Sequence, residues 1–369
     1  MIVSSPKFAI VGSGPSGCYT AQFLRKAFPD SQITMFDRLN QPFGLLRYGV
    51  APDHLGTKAL ASQFEKLFER DRVNFVGAIE IGKDLSLDAL RQQFDVVVLA
   101  VGLSQDRPLD IPGEALPGVF GSGRVTKLFN SHPEMDLDGI KVGQKIVIVG
   151  HGNVAVDLIR LSLLGAAALV KFGVPKDVAE TLSGKQLSEI HVVGRSQAAE
   201  AKFDVAMINE LQRLPDVRFS SDADEIFNDS SETDRRIEAI SSLVRSSDPS
   251  ASREVRFHFG WAPIRIGGDT SVEFIEFTKT NGSGKLKLET DTVYSAIGFV
   301  EDLSPSFRRS ELLAHAPDSA EGYLADGLYC VGWFKRGPNG TIPANRADAR
   351  LVSDRVVRDL SLSFEKREM

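Results

Sequence analysis

The chain has 369 residues, 42% of them hydrophobic and 25% charged, which is enough apolar material for two domains with separate cores and gives no sign of global disorder. A formal net charge of −6 argues against a general nucleic-acid binder. The only two cysteines, Cys18 and Cys330, stand far apart and form no CxxC, which excludes enzymes that need a redox-active thiol pair and leaves two reduced, small hydrophobes.

The chain opens with MIVSSPKFAIV, which leads into a strand without a basic region, a long apolar segment or a cleavage site. No apolar run reaches membrane-spanning length, so a soluble, cytoplasmic protein with no membrane contact is expected. The apolar run Phe8-Ala9-Ile10-Val11 reads as a buried strand and is followed by GSGPSG and a helix. In that setting Gly12 permits the tight turn, Gly14 lets the backbone approach a pyrophosphate, and Gly17 lets the helix pack closely on the strand. The free N–H groups of the helix start then face an anion. Gln32 to Phe36 reads as the second strand and ends at Asp37, near the spacing of about 20 residues at which an acid takes ribose hydroxyls.

FDVVVLAVG at 94 to 102 closes this first unit, and the Pro/Gly-rich DIPGEALPGVF at 110 to 120 reads as a crossover. A second strand, turn and helix then begins at Lys145, where Gly150, Gly152 and Ala155 repeat the fingerprint. Its next strand, Glu189 to Val193, runs into Gly194 and Arg195. An arginine where the first unit carries an acid is what a 2′-phosphate selects, so the pair suggests FAD in the first unit and NADP(H) in the second. The serine-rich stretch from Ser220 to Ser252 reads as an exposed insertion with one amphipathic helix around Ile237 to Val244. TDTVYSAIG at 290 to 298 closes the second unit as FDVVVLAVG closes the first, and DGLYCVGWFKRGPNGTI reads as strand, glycine-rich turn and a helix from about Ala344. The fold expected is α/β, with an FAD-binding domain at 1–105 and 325–369 and an NADP-binding domain at 106–324.

With GSGPSGCYTAQ, PFGLLRYGVAPDH, DIPGEALPGVFG, GHGNVAVD and GLYCVGWFKRGPNGTI in place, most of the chain resembles the adrenodoxin-reductase-type ferredoxin–NADP reductases, which are glutathione-reductase-like flavoproteins. The resemblance implies two Rossmann-like domains and hydride transfer from NADPH to FAD, followed by single-electron transfers to a ferredoxin. It places FAD against Ser16, Asp37, Leu45, Ile81, Trp333, Gly340, Thr341 and Ile342. It places NADP(H) against His151, Gly152, Asn153, Val154, Arg195 and Gly340, and sets His54 and Glu210 near the nicotinamide and flavin rings as the catalytic pair. No metal site is implied.

Three departures stand out. Gly194-Arg195 replaces the paired arginines usual in the family, and Met207 stands where a glutamate is usual, so a weaker preference for NADPH over NADH is expected. The region from 216 to 256 is also shorter than in mitochondrial members, leaving Arg213, Arg235, Arg236 and Arg245 as candidate contacts for an acidic ferredoxin. Two other functions are compatible with the nucleotide motifs. An electron-input module like the small subunit of glutamate synthase would bring cysteine-rich cluster motifs, which two cysteines cannot supply, and a non-catalytic FAD/NADP redox sensor would lack His54 and Glu210.

Overall fold

The computed structural model describes residues 5–184, 186–223 and 234–368 and divides into two compact units. The first comprises Met1–Val50, His54–Gln105 and Phe299–Met369, and the second Ala51–Asp53 and Asp106–Gly298.

The first unit is built on a six-stranded sheet. The strands Leu328–Cys330, Val96–Leu99, Lys7–Val11, Gln32–Phe36 and Val73–Val76 are parallel in that spatial order, and Tyr323–Ala325 is added antiparallel at one edge. Period-2 alternation divides its residues between two cores. Phe8, Ile10, Ile33, Met35, Val96 and Val98 face the helix Pro15–Ala27 and the long helix Ile342–Glu368, whereas Ala9, Val11, Val97, Leu99 and Cys330 line the opposite side. The chain leaves Lys7–Val11 toward one flank of the sheet and later fills the other, so the carboxyl end of this central strand is a topological switch point.

The second unit repeats the plan with six parallel strands in the order Val119–Gly121, Thr292–Ser295, Lys145–Val149, Glu189–Gly194, Arg253–Phe259 and Val217–Ser221. Ile146 and Ile148 point to one core, Val147 and Val149 to the other. A three-stranded antiparallel sheet, Trp261–Gly267, Phe274–Lys279 and Lys285–Glu289, covers the second face.

Two expectations are corrected. The first unit resumes at Phe299 rather than 325, because Phe307, Leu312 and Leu313 pack against the core formed by Phe36, Leu90 and Leu99. The helix in the serine-rich stretch, Arg235–Ser246, is not part of an exposed insertion, since it buries Ala239, Ile240 and Leu243 in the main core of the second unit. Residues 224–233 of that stretch lie outside the described residues. Among the described residues no helix is long and apolar enough to cross a membrane.

Candidate functional site: two glycine cradles

In the first unit the strand Lys7–Val11 turns at Gly12, whose φ of 102° and crowding against Ala100 O, 2.5 Å from where a Cβ would stand, admit only glycine. A Cβ on Gly17 would meet Gly12 O at 2.0 Å, so the helix lies close on the turn. Gly14 differs, because nothing lies within 4 Å of its Cβ position. It is the N-cap of the helix Pro15–Ala27 and supplies no capping side chain, so the amides of the first turn face that open space. A pyrophosphate fits such a cradle.

Asp37 ends the second strand as expected. Its Oδ2 accepts from Ser13 N at 2.9 Å and Ser13 Oγ at 2.5 Å, and its Oδ1 accepts from Leu39 N at 2.9 Å, so the acid also fixes the glycine turn. Phe43 N donates to Ser13 O, and Gly44 approaches Gly14 so closely that a Cβ on it would lie 3.2 Å from Gly14 Cα. That brings half-buried Leu45, in the helix Gly44–Tyr48, beside the cradle.

The C-terminal turn meets the same loop. Gly332 has φ 72°, and a Cβ on it would come within 2.2 Å of buried Ser16 Oγ. Trp333 Nε1 donates to Gly340 O at 3.2 Å, and its ring stacks on Phe299 at 5.8 Å. Thr341 is exposed, and Ile342 opens the long helix two residues earlier than expected. Ile81 is only 3% exposed with its side chain in the core, which leaves its backbone as the part able to face a ligand. His54 is the half-buried N-cap of the short helix Leu55–Lys58, and its carbonyl accepts from Thr57 N and Lys58 N.

The second unit builds its cradle in the same way. Gly150 has φ 129° with Ala296 O 2.4 Å from its Cβ position, and Gly152 has nothing within 4 Å. Gly152 is the N-cap of the helix Asn153–Leu163 and Ala155 is buried against the sheet, so a second dinucleotide pyrophosphate fits here. Val154 is half-buried in the first turn, and Asn153 Oδ1 accepts from Asp204 N at 2.7 Å. Arg195 is exposed just beyond the strand Glu189–Gly194.

His151 turns its imidazole inward, which leaves its backbone as the part able to face the cradle. Its Nε2 lies 3.1 Å from Val192 O, its ring packs on Phe259 at 4.4 Å, and burial pushes its pKa down to about 4. A Cβ on Gly194 would lie 2.5 Å from His151 Nδ1, so the ring fills the place of a side chain at 194.

Glu210, in the helix Val205–Leu211, lies beside a group that is not apparent from sequence. Arg160 is 6% exposed, and its Nη1 is 3.8 Å from Glu210 Oε2. Its Nε and Nη2 donate to Asp53 at 2.5 and 3.0 Å, and Nη2 also reaches Asp157 at 2.7 Å. Burial opposes the charge, but the carboxylates of Asp53 and Asp157 outweigh it and hold the guanidinium above its ordinary pKa. The sequence signal was an arginine inside the apolar helix NVAVDLIRLSL, where a charge needs a buried partner.

Both cysteines are free and buried, and burial pushes the Cys330 thiol up to about 12 and Cys18 higher still, so neither acts as a thiolate. Of the candidate ferredoxin contacts, Arg213, Arg235 and Arg245 are exposed, whereas Arg236 is half-buried and donates to Ala199 O at 3.2 Å.

Known proteins agree with this architecture. Residues 6–314 match the family model described as pyridine nucleotide-disulphide oxidoreductase. Cindoxin reductase of Citrobacter braakii is 44% identical over 362 residues, covering 96% of this chain and 78% of that protein. The mitochondrial NADPH:adrenodoxin oxidoreductase of Bos taurus is 30% identical over 390 residues, covering 96% and 79%. The structure of Mycobacterium tuberculosis FprA in complex with NADPH superposes with a TM-score of 0.89 at 29% identity, covering 99% of this chain and 86% of that one. With two glycine cradles, no cysteine pair and relatives of this kind across nearly its whole length, the chain belongs to the adrenodoxin-reductase-type ferredoxin–NADP reductases, within the pyridine nucleotide-disulphide oxidoreductase family.

Proposed function

We propose that the chain is an FAD-dependent oxidoreductase that takes electrons from NADPH and passes them through FAD to a ferredoxin-type iron–sulfur protein. The observation that carries this is the pair of cradles with opposite charges after the second strand, Asp37 in one unit and Arg195 in the other. On this reading we assign FAD to the first unit and NADP(H) to the second. FAD, when bound, supplies the conversion of a two-electron hydride into single electrons.

The chain's own residues supply placement and charge. The amides after Gly14 and Gly152 would hold the two pyrophosphates, and the open Cβ positions of those glycines leave the room this requires. Asp37 holds the first turn through Ser13 and has lone pairs left for a ribose hydroxyl. We assign the 2′-phosphate to Arg195, where a charge-assisted contact would be strong. We assign roles in proton handling to His54 of the first unit and Glu210 of the second, the latter 3.8 Å from Arg160 Nη1. Arg213, Arg235 and Arg245 form an exposed basic set for an acidic ferredoxin, so that contact is salt-dependent and acts mainly on the association rate. The compartment we infer is the cytoplasm, which suits two unpaired, buried cysteines.

An anaerobic titration of the purified protein with NADPH and, separately, NADH tests this by bleaching of the flavin band. Complete bleaching by NADPH at lower concentrations than NADH, followed by reoxidation by a ferredoxin, is the expected result. A protein that carries no FAD after reconstitution, or that bleaches but never reduces an iron–sulfur acceptor, overturns it.

A further inference from the structure

We propose that Asp348 keeps the flavin potential low by cancelling positive charge buried behind the turn that runs from Gly332 to Gly340. The proposal rests on the FAD assignment above and concerns a residue that has no place in the glycine motifs. Asp348 lies in the long helix Ile342–Glu368, and its side chain is 5% exposed. Its Oδ1 takes Lys335 Nζ at 2.6 Å, its Oδ2 accepts from Gly332 N at 2.6 Å, and Arg336 Nε stands 3.3 Å from the same oxygen.

The two cations of GWFKRG are therefore turned inward. The Lys335 side chain is 6% exposed and its Nζ also donates to Ala320 O at 2.7 Å. Arg336 donates to Asn339 O at 2.7 Å and to Asn345 Oδ1 at 2.6 Å. These bonds brace the turn that carries Trp333 and Gly340 and that packs on Ser16 of the first cradle. Bracing alone does not need ions, because burying a lysine, an arginine and a carboxylate carries a desolvation penalty that neutral groups of similar size avoid.

The charges would have a use if the flavin assigned to Trp333 and Gly340 lay against this turn. A positive group beside a flavin favours its reduced, negatively charged form and so raises its potential. Asp348 cancels one of these two positive charges and so lowers the field behind the turn. A low potential is what a donor to a ferredoxin-type cluster needs, so the carboxylate acts as a positioning and charge-balancing residue rather than a catalytic one.

Measuring the midpoint potential of the holoenzyme in four forms tests this: wild type, Asp348→Asn, Lys335→Met and the double variant. The two cations and one anion give a net charge of +1 in the wild type and the double variant, +2 in Asp348→Asn and zero in Lys335→Met. Asp348→Asn should shift the potential to more positive values, Lys335→Met to more negative ones, and the double variant back to the wild-type value. General damage to the turn would not be reversed by a second substitution. Should Asp348→Asn yield no folded protein, the double variant must still match wild type and lie above Lys335→Met. One shared potential across the FAD-loaded forms, or a double variant that fails to return, overturns the role of Asp348 alone. A wild type without FAD overturns the FAD assignment and this proposal with it.

Discussion

Arg160 and Asp53, separated by 107 residues in sequence, form a bidentate ion pair with Nε–Oδ2 at 2.5 Å and Nη2–Oδ1 at 3.0 Å, both side chains at most 10% exposed. Asp157 shares the guanidinium, so removing the arginine takes away the buried cation that both carboxylates face. Breaking a buried pair from one side costs about 3 to 5 kcal/mol, and Arg160→Met should lose that much in urea unfolding. Arg160→Lys should recover only part of it, because an ammonium cannot span both oxygens of Asp53. A loss below about 1 kcal/mol in the Met variant would mean that the pair is solvated and does not organise the surroundings of Glu210.

The two glycines of the first cradle should fail in opposite ways. Gly12→Ala places a Cβ against Ala100 O at 2.5 Å with φ at 102°, so it should destabilise the fold itself. Gly14→Ala meets nothing within 4 Å and should leave the melting temperature of the apoprotein nearly unchanged. Its methyl instead occupies the room for a pyrophosphate, so the flavin content after purification should fall sharply. Equal FAD retention in Gly14→Ala and wild type would place the cofactor elsewhere.

The second cradle offers the same test through Arg195. A charge-assisted contact to a phosphate contributes about 1.5 to 3 kcal/mol, which corresponds to roughly 10- to 150-fold in affinity. Arg195→Ala should raise KM for NADPH within that range, change NADH kinetics little, and leave kcat at saturation close to wild type, because the contact is remote from the hydride. Equal weakening of both nucleotides would mean that Arg195 serves the pyrophosphate or the fold instead.

Acid should destabilise the second unit through His151. Burial pushes its imidazole from the ordinary 6.5 down to about 4, so as pH falls the unfolded chain takes up the proton first. The stability from the neutral ring is present above 6.5 and is lost progressively toward 4, a change of about 3 kcal/mol at most. His191, which burial also lowers, acts with the same sign. Unfolding free energies from about pH 7 to about pH 4.5 should therefore slope less steeply in His151→Asn than in wild type, and parallel slopes would exclude His151 as a source.

Both cradles were legible in the sequence because an apolar run, a glycine turn and a helix signal lie within about 20 residues of one another. Asp37 followed from the same local spacing. Arg160 and Asp348 did not, since a charged residue in a helical stretch looks solvated until its distant partner is known, and Asp53 and Gly332 come from other parts of the chain. The helix Arg235–Ser246 was found but placed outside the core, because its serines mask the stripe of Ala239, Ile240 and Leu243. The return to the first unit at Phe299 was missed for a related reason. Leu312 and Leu313 sit in the six-residue helix Arg309–Ala314 and Phe307 just before it, too short a stretch for a periodicity to announce them.

The contact between His151 and Gly194 also sets the order in which nucleotide preference can change. Because the imidazole occupies the Cβ position of residue 194, a second arginine beside Arg195 cannot be added by itself. Gly194→Arg alone should lower the melting temperature and gain no NADPH affinity, whereas the same change combined with His151→Gly opens the space and should tighten NADPH binding. The side chain at 151 thereby limits which residues can stand at 194, next to the arginine to which we assign the 2′-phosphate.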